Sequence, residues 1–150
     1  MSNKDLLRTL AAASRTARST AQQRLAGHGL HAGQDHLLEQ LWEQDGLTVG
    51  VIADRMGVEV PTVVRMVRRL EAAGVVRRAP DKADKRRSYV VLTKRGRALK
   101  PLVRDYLGAI ARSATRGLSD AEKRQLIRML EHVTSNLRAS GSAPSKEKAG

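Results

Sequence analysis

The sequence predicts a mainly α-helical chain built around a winged helix-turn-helix, an α+β element, with further helices at both ends. Three observations predict it. Between residues 34 and 99, short helical stretches separated by a glycine turn run into a pair of β-prone segments. Basic charge peaks in the same place: of the net +13, residues 1–47 hold zero, residues 48–100 hold +9 and residues 101–150 hold +4. Apolar stripes at helical spacing flank this centre, over 4–26 on one side and 94–138 on the other. A polyanion-binding element carried on less charged flanks has this electrostatic footprint.

Residues 4–26 read as a helix with Leu6, Leu7, Leu10, Ala13, Ala17, Ala21 and Leu25 along one stripe. The run 27-GHGLHAG-33 breaks it with three glycines in seven residues. A second helix over 34–44 buries Leu37, Leu38, Leu41 and Trp42 and stops at Asp45-Gly46. Thr48 is placed to cap a short third helix, 49–56, with Val51, Ile52 and Met56 inward, and Gly57 ends it. Pro61 fits the first position of a fourth helix, 61–73, where its missing N–H costs nothing. That helix buries Val63, Met66 or Val67, and Leu70, and Gly74 supplies its stop.

Val75–Ala79 and Ser88–Thr93 lie on either side of a charged tip and read as an antiparallel hairpin with a long loop. Helical spacing resumes over 94–115 with Leu99, Leu102, Val103, Tyr106, Leu107 and Ile110. Ser119 and Glu122 make a capping-box signature for a last helix to 138, carrying Leu126, Ile127, Leu130, Val133 and Leu137. The small, polar run 139–150 is expected to be a disordered tail.

Composition removes several classes of function. The absence of cysteine excludes disulfides, thiol catalysis, Cys-type zinc sites and cysteine redox sensing within the chain. Three aromatic residues, Trp42, Tyr89 and Tyr106, give no stacking platform for single-stranded nucleic acid. No window approaches the ~18 apolar residues of a membrane span. The N-terminal stretch 6-LLRTLAAAS-14, interrupted by Arg8, is a poor secretory signal, so a cytoplasmic location is expected. Neither a nucleophile elbow, a phosphate-cradling glycine loop nor an HExxH motif is present, and neither an enzyme nor a cofactor is expected. His28, His31 and His36 with Asp35 fit no i, i+4 pair within one helix, which speaks against a metal site.

The function lies in the helix over 61–73 and the tip after it. Opposite its buried side, the helix presents Pro61, Thr62, Arg65, Arg68 and Arg69, with Val64 half-exposed. An α-helix fits the DNA major groove with its N-terminal residues nearest the bases. Arg65 is then the candidate for guanine O6 and N7, Thr62 for a base edge or phosphate, Val64 for a thymine methyl, and Arg68 and Arg69 for phosphate. The tip 81-DKADKRR-87 reaches the neighbouring minor groove, whose negative potential favours an inserted Arg86 or Arg87. Asp84, two residues before Arg86, is expected to hold that guanidinium by a charge-assisted bond.

The run 47-LTVGVIADRMGVEVPTVVRMVRRLEAAGVVRRAPDKADKRRSYVVLTKRGRAL-99 resembles the MarR family of bacterial transcription regulators. The resemblance is carried most specifically by 61-PTVVRMVRRLE-71, 74-GVVRR-78, the wing 81-DKADKRR-87 with its Asp-x-Arg at Asp84 and Arg86, and 92-LTKRGRAL-99. Where the family commonly has Ser or Thr second on the exposed recognition face, this chain has Val64. The resemblance implies double-stranded DNA as partner, and a homodimer whose helical regions 1–33 and 100–138 intertwine around the DNA-binding part, 34–99. The sequence independently suits a dimer, since the flanking helices carry more apolar stripe than so small a domain needs. Two-fold symmetry implies a pseudo-palindromic operator with half-sites about one helical turn apart. A repressor relieved by a small anionic or aromatic effector is further implied, the effector entering a cleft lined by the first, second and fifth helices. Arg15, Arg18, His31 and His36 are the candidates to bind it. A protein coating nucleic acid through charge alone is the competing expectation.

Overall fold

The computed structural model describes residues 2–141. In chain order these form α1 (Asn3–Ala26), α2 (Gln34–Glu43), α3 (Val49–Met56), α4 (Val60–Ala72), β1 (Val76–Pro80), β2 (Ser88–Leu92), α5 (Lys94–Ala114) and α6 (Asp120–Gly141). The mainly α-helical winged helix-turn-helix expected from the sequence is what forms.

Local signals set the element ends. The Thr48 hydroxyl accepts the Val51 N–H at 3.3 Å, and Gly57 closes α3 at φ 64°, a left-handed backbone that suits glycine. Ser119 and Glu122 form the expected capping box, the Ser119 N–H donating to the carboxylate at 2.7 Å. Pro61 takes the second position of α4, not the first, because the helix starts at Val60 after an N-cap at Glu59. Its ring is tolerated there for the same reason, since first-turn amides have no acceptor within the helix. The first strand begins one residue later than expected. Val75 donates its N–H to the Leu70 carbonyl at 2.9 Å, so it still belongs to the end of α4.

The hairpin pairs antiparallel in the register Val76↔Leu92 through Pro80↔Ser88. A third strand is reduced to one residue: Leu47 bridges Val90, whose N–H donates to the Leu47 carbonyl at 2.8 Å. Next to it, one Asp45 oxygen accepts both the Gly46 and the Leu92 N–H at 2.9 Å. The turn after α2 is thereby fastened to the base of the wing.

The chain divides into two compact units, one running to Ile110 and one starting at Ala111. The first holds a single core to which α1 contributes Leu25, α2 Leu37, Leu38 and Leu41, α3 Ile52, and α4 Val63, Val67 and Leu70. Val51, expected inward, is exposed. Ile52 and Ala53 take the buried side of α3, and Val51 lies about 100° round the helix from Ile52. Trp42 is buried as expected, and its indole N–H donates to the Gly96 carbonyl at 2.9 Å. Gly96 is irreplaceable in space, because a Cβ there would overlap the Val75 carbonyl oxygen. In the second unit α6 buries no residue, and Ile127 and Leu137 are 55% and 58% exposed. α6 continues to Gly141, past the expected end at 138; residues 142–150, where the rest of the tail was expected, lie outside the described residues.

Candidate nucleic-acid interface

α4 owes its orientation to packing. Val63, Val67 and Leu70 recur at helical spacing and are wholly buried, which turns Pro61, Arg65, Arg68 and Arg69 into solvent, with Thr62 and Val64 half-buried beside them. One Arg65 guanidinium nitrogen lies 3.4 Å from the Thr62 hydroxyl, a long contact that leaves most of its donors unused. Val60, one residue before the expected start of the helix, is also 45% exposed at the same end. Reading the helix from Pro61 onward passed over it.

The wing is organised differently. One Asp81 oxygen accepts the Tyr89 hydroxyl at 2.7 Å and the other the Ala83 N–H at 2.8 Å, with the Asp84 N–H further off at 3.4 Å. The Asp81 N–H donates to the Arg87 carbonyl, and the Arg87 N–H to the Asp84 carbonyl, each at 3.0 Å. The Tyr89 hydroxyl, then the loop amides, hold the Asp81 carboxyl below its ordinary value. The same bond and charge push the Tyr89 phenol up.

Asp84 corrects an expectation. Its carboxylate accepts the backbone N–H of Arg86 at 2.9 Å and makes no bond to the guanidinium. A carboxylate two residues before a loop amide closes a tighter ring with the backbone than with the end of a long, mobile side chain. The acids of this tip therefore spend themselves on backbone and phenol. Lys82, Lys85, Arg86 and Arg87 are exposed and make no side-chain hydrogen bond or ion pair among the described residues.

Other cations of the basic centre work inside the fold. Arg95 donates to the Ala73 carbonyl at 2.8 Å, Arg97 to the Leu92 carbonyl at 3.0 Å, and Arg78 meets Glu71 at 3.4 Å between β1 and α4. The Thr93 hydroxyl faces the Gly74 and Val75 carbonyls at 2.7 and 3.0 Å. The run 92-LTKRGRAL-99 thus clamps the end of α4 and the base of the wing to the start of α5. Charge counted along the sequence overstates the charge available to a partner.

The four effector candidates are not brought together by bonding. Arg15 and Arg18 are exposed on α1, His31 is exposed before α2, and His36 is exposed with Glu39 at 3.7 Å. What the sequence reading missed here is Tyr106 on α5. Its hydroxyl is buried and meets no hydrogen-bond partner among the described residues. Burial first, then the negative charges of Asp35 and Glu39, push its titration far upward, so it stays a neutral donor. Among the described residues no three His, Asp or Glu groups are placed to hold a metal ion. Nor is any described helix long and apolar enough to cross a membrane.

A family profile described as MarR family matches residues 30–88, the stretch from the approach to α2 through the wing tip. That stretch is similar to the MarR family. Members of that family are transcription regulators and not enzymes. Among curated relatives, the HTH-type transcriptional regulator TtmR of Methylorubrum extorquens (strain PA1) is 43% identical over 76 residues, which is 51% of this chain. The aligned part spans 39% of that relative's length. The fold of this chain superposes on the crystal structure of the transcriptional regulator SlyA with a TM-score of 0.82 at 26% identity, covering 91% of this chain and 96% of that one. It also superposes on overoxidized AbfR bound to DNA with a TM-score of 0.72 at 26% identity, covering 89% and 93%.

Proposed function

We propose that this chain is a homodimeric, sequence-specific double-stranded DNA-binding repressor of the cytoplasm, released from a pseudo-palindromic operator by a small effector. The observation that carries the DNA reading is the division of labour among its cations. The arginines of α4 and the four cations of the tip are exposed and form no ion pair among the described residues, while Arg78, Arg95 and Arg97 hold the frame that aims them. Residues 34–99 are the DNA-binding part. Pro61, Thr62, Val64 and Arg65 face base edges, with Arg65 on guanine; Arg68 and Arg69 meet phosphate; Arg86 and Arg87 enter the minor groove, on a loop shaped by Asp84. That AbfR and its DNA were solved together supports this assignment.

Dimerisation through 1–33 and 100–138 is supported by apolar side chains left in solvent, Leu6 and Leu7 on α1 and Ile127 and Leu137 on α6. For the effector, the unpartnered Tyr106 hydroxyl supports a ligand that offers a hydrogen-bond acceptor. Its neighbours Asp35 and Glu39 favour an aromatic or neutral body over a bare anion, unless Arg15, Arg18, His31 or His36 supplies the balancing charge.

Fluorescence anisotropy on the duplex upstream of the protein's own gene tests the DNA reading, with a base-shuffled duplex as competitor. At about 0.15 M salt, non-specific binding is typically only 10⁻⁴–10⁻⁶ M, so tight binding that shuffled DNA fails to displace is the expected result. Equal displacement by shuffled DNA, repeated on duplexes enriched from a random pool, would leave only coating by charge.

A further inference from the structure

We infer that Asp81 and Tyr89 are positioning residues of the wing: the carboxylate–phenol bond between them closes the loop that presents Arg86 and Arg87. The inference rests on the DNA-binding reading above and adds to it what fixes the aim of the wing's arginines. The tip from Lys82 to Arg87 is longer than a two-residue hairpin turn and buries no side chain, so packing cannot fix it. Fixing such residues costs conformational entropy that only polar bonds are present to offset.

Those bonds converge on Asp81. Tyr89 pairs with Ala79 in the ladder, so its hydroxyl is anchored by the sheet rather than by the loop. Asp81 follows directly after β1 and takes that hydroxyl with one oxygen, which spans the mouth of the loop at 2.7 Å. Its other oxygen takes the Ala83 N–H, its own N–H ties the Arg87 carbonyl, and Asp84 then pins the Arg86 amide. The backbone of both arginines is thereby set before any partner arrives. Preorganisation of this kind raises affinity without adding a contact.

A carboxylate so placed repels phosphate, and this gives the test a sign. The full-length protein and its Tyr89→Phe, Asp81→Ala and Asp81→Asn variants would be titrated by anisotropy against a duplex enriched from a random pool. Tyr89→Phe and Asp81→Ala should each weaken binding about two- to tenfold, the range one lost hydrogen bond allows. Asp81→Ala does so although it removes negative charge. Asp81→Asn, which keeps an acceptor for the phenol, should restore most of the affinity.

In the DNA-free protein, the heteronuclear NOE of the Ala83, Asp84 and Arg86 amides should fall in Tyr89→Phe while the thermal melt stays put. Tighter binding by Asp81→Ala, unchanged binding by Tyr89→Phe, or an unchanged NOE would overturn the inference. Should the wild type enrich no duplex at all, the DNA reading fails and the role in DNA binding with it. The NOE, measured without DNA, separates that failure from a loop that the pair does not close.

Discussion

α4 keeps Val63, Val67 and Leu70 wholly out of solvent, whereas no side chain from Lys82 to Arg87 is even half-buried. The two parts proposed to meet DNA are thus held by opposite means, one by apolar packing and the other by carboxylates gripping amides and a phenol. Packing ties the aim of the helix to the stability of the whole unit: α4 cannot tilt without opening the core. The tip can loosen while the fold stays intact. Its bonds are exposed or only part-buried, so each is individually modest.

The largest effect that would sharpen this contrast is in the helix. Leu70→Ala should cost about 2–5 kcal/mol of unfolding free energy, measured in urea, with DNA affinity lost alongside it. That is a large share of the ~5–15 kcal/mol typical of a domain. A melt unchanged by Leu70→Ala would break the comparison, because α4 would then not depend on the core beneath it.

What could be read from the sequence follows the same division. The helix ends were legible because their signals are local: Thr48 three residues from the amide it caps, Gly57 and Gly74 at left-handed turns, Ser119 three residues before Glu122. The buried face of α4 was legible because 3.6-residue spacing writes it into Val63, Val67 and Leu70. The bonds that join distant segments were not. Asp45 meets the Leu92 amide 47 positions away, and Trp42 meets the Gly96 carbonyl 54 positions away; no pattern along the chain announces either. In the wing, the Asp-x-Arg spacing drew attention to Asp84 and the Arg86 guanidinium. The structure gives Asp84 a backbone role and makes Asp81, to which the sequence assigned no role, the centre of the tip. Charge type was legible, but which charges are already engaged was not.

A second, smaller effect separates aim from frame on the helix itself. Arg65→Ala touches no packed side chain, so stability should stay within experimental error. DNA affinity should fall by about 1–3 kcal/mol, with discrimination relaxed at a single base pair in each half-site. A competition series over single-base operator variants measures this. If every variant weakened equally, Arg65 would be a phosphate contact, and the N-terminal end of α4 would carry no base reading.

The smallest effect belongs to the tip and depends on protonation, which apolar packing cannot. The Tyr89 hydroxyl first, then the Ala83 amide, with the Asp84 amide and the charge of Arg87 adding less, hold Asp81 below its ordinary 3.8 against the opposing effect of burial. A carboxyl whose folded value is depressed contributes stability above its unfolded value and loses it as pH falls through the folded one. Tyr89 is displaced the other way, chiefly by its bond to Asp81. Its contribution is present below its ordinary 10.0 and is lost as pH rises through its raised value. The closed tip should therefore persist across a window wider than those two ordinary values bound.

Nuclear magnetic resonance reads this directly. The Ala83 amide shift should stay flat through neutral pH and move only below the ordinary carboxyl midpoint, while core amides of α4 stay unmoved until the protein unfolds. Tyr89→Phe should bring the Asp81 midpoint back toward 3.8, since the largest contribution to its shift is gone. An Ala83 transition already at the ordinary midpoint in the wild type would mean that the phenol does not hold the carboxylate in solution. The wing would then be as loose as its lack of packing alone predicts.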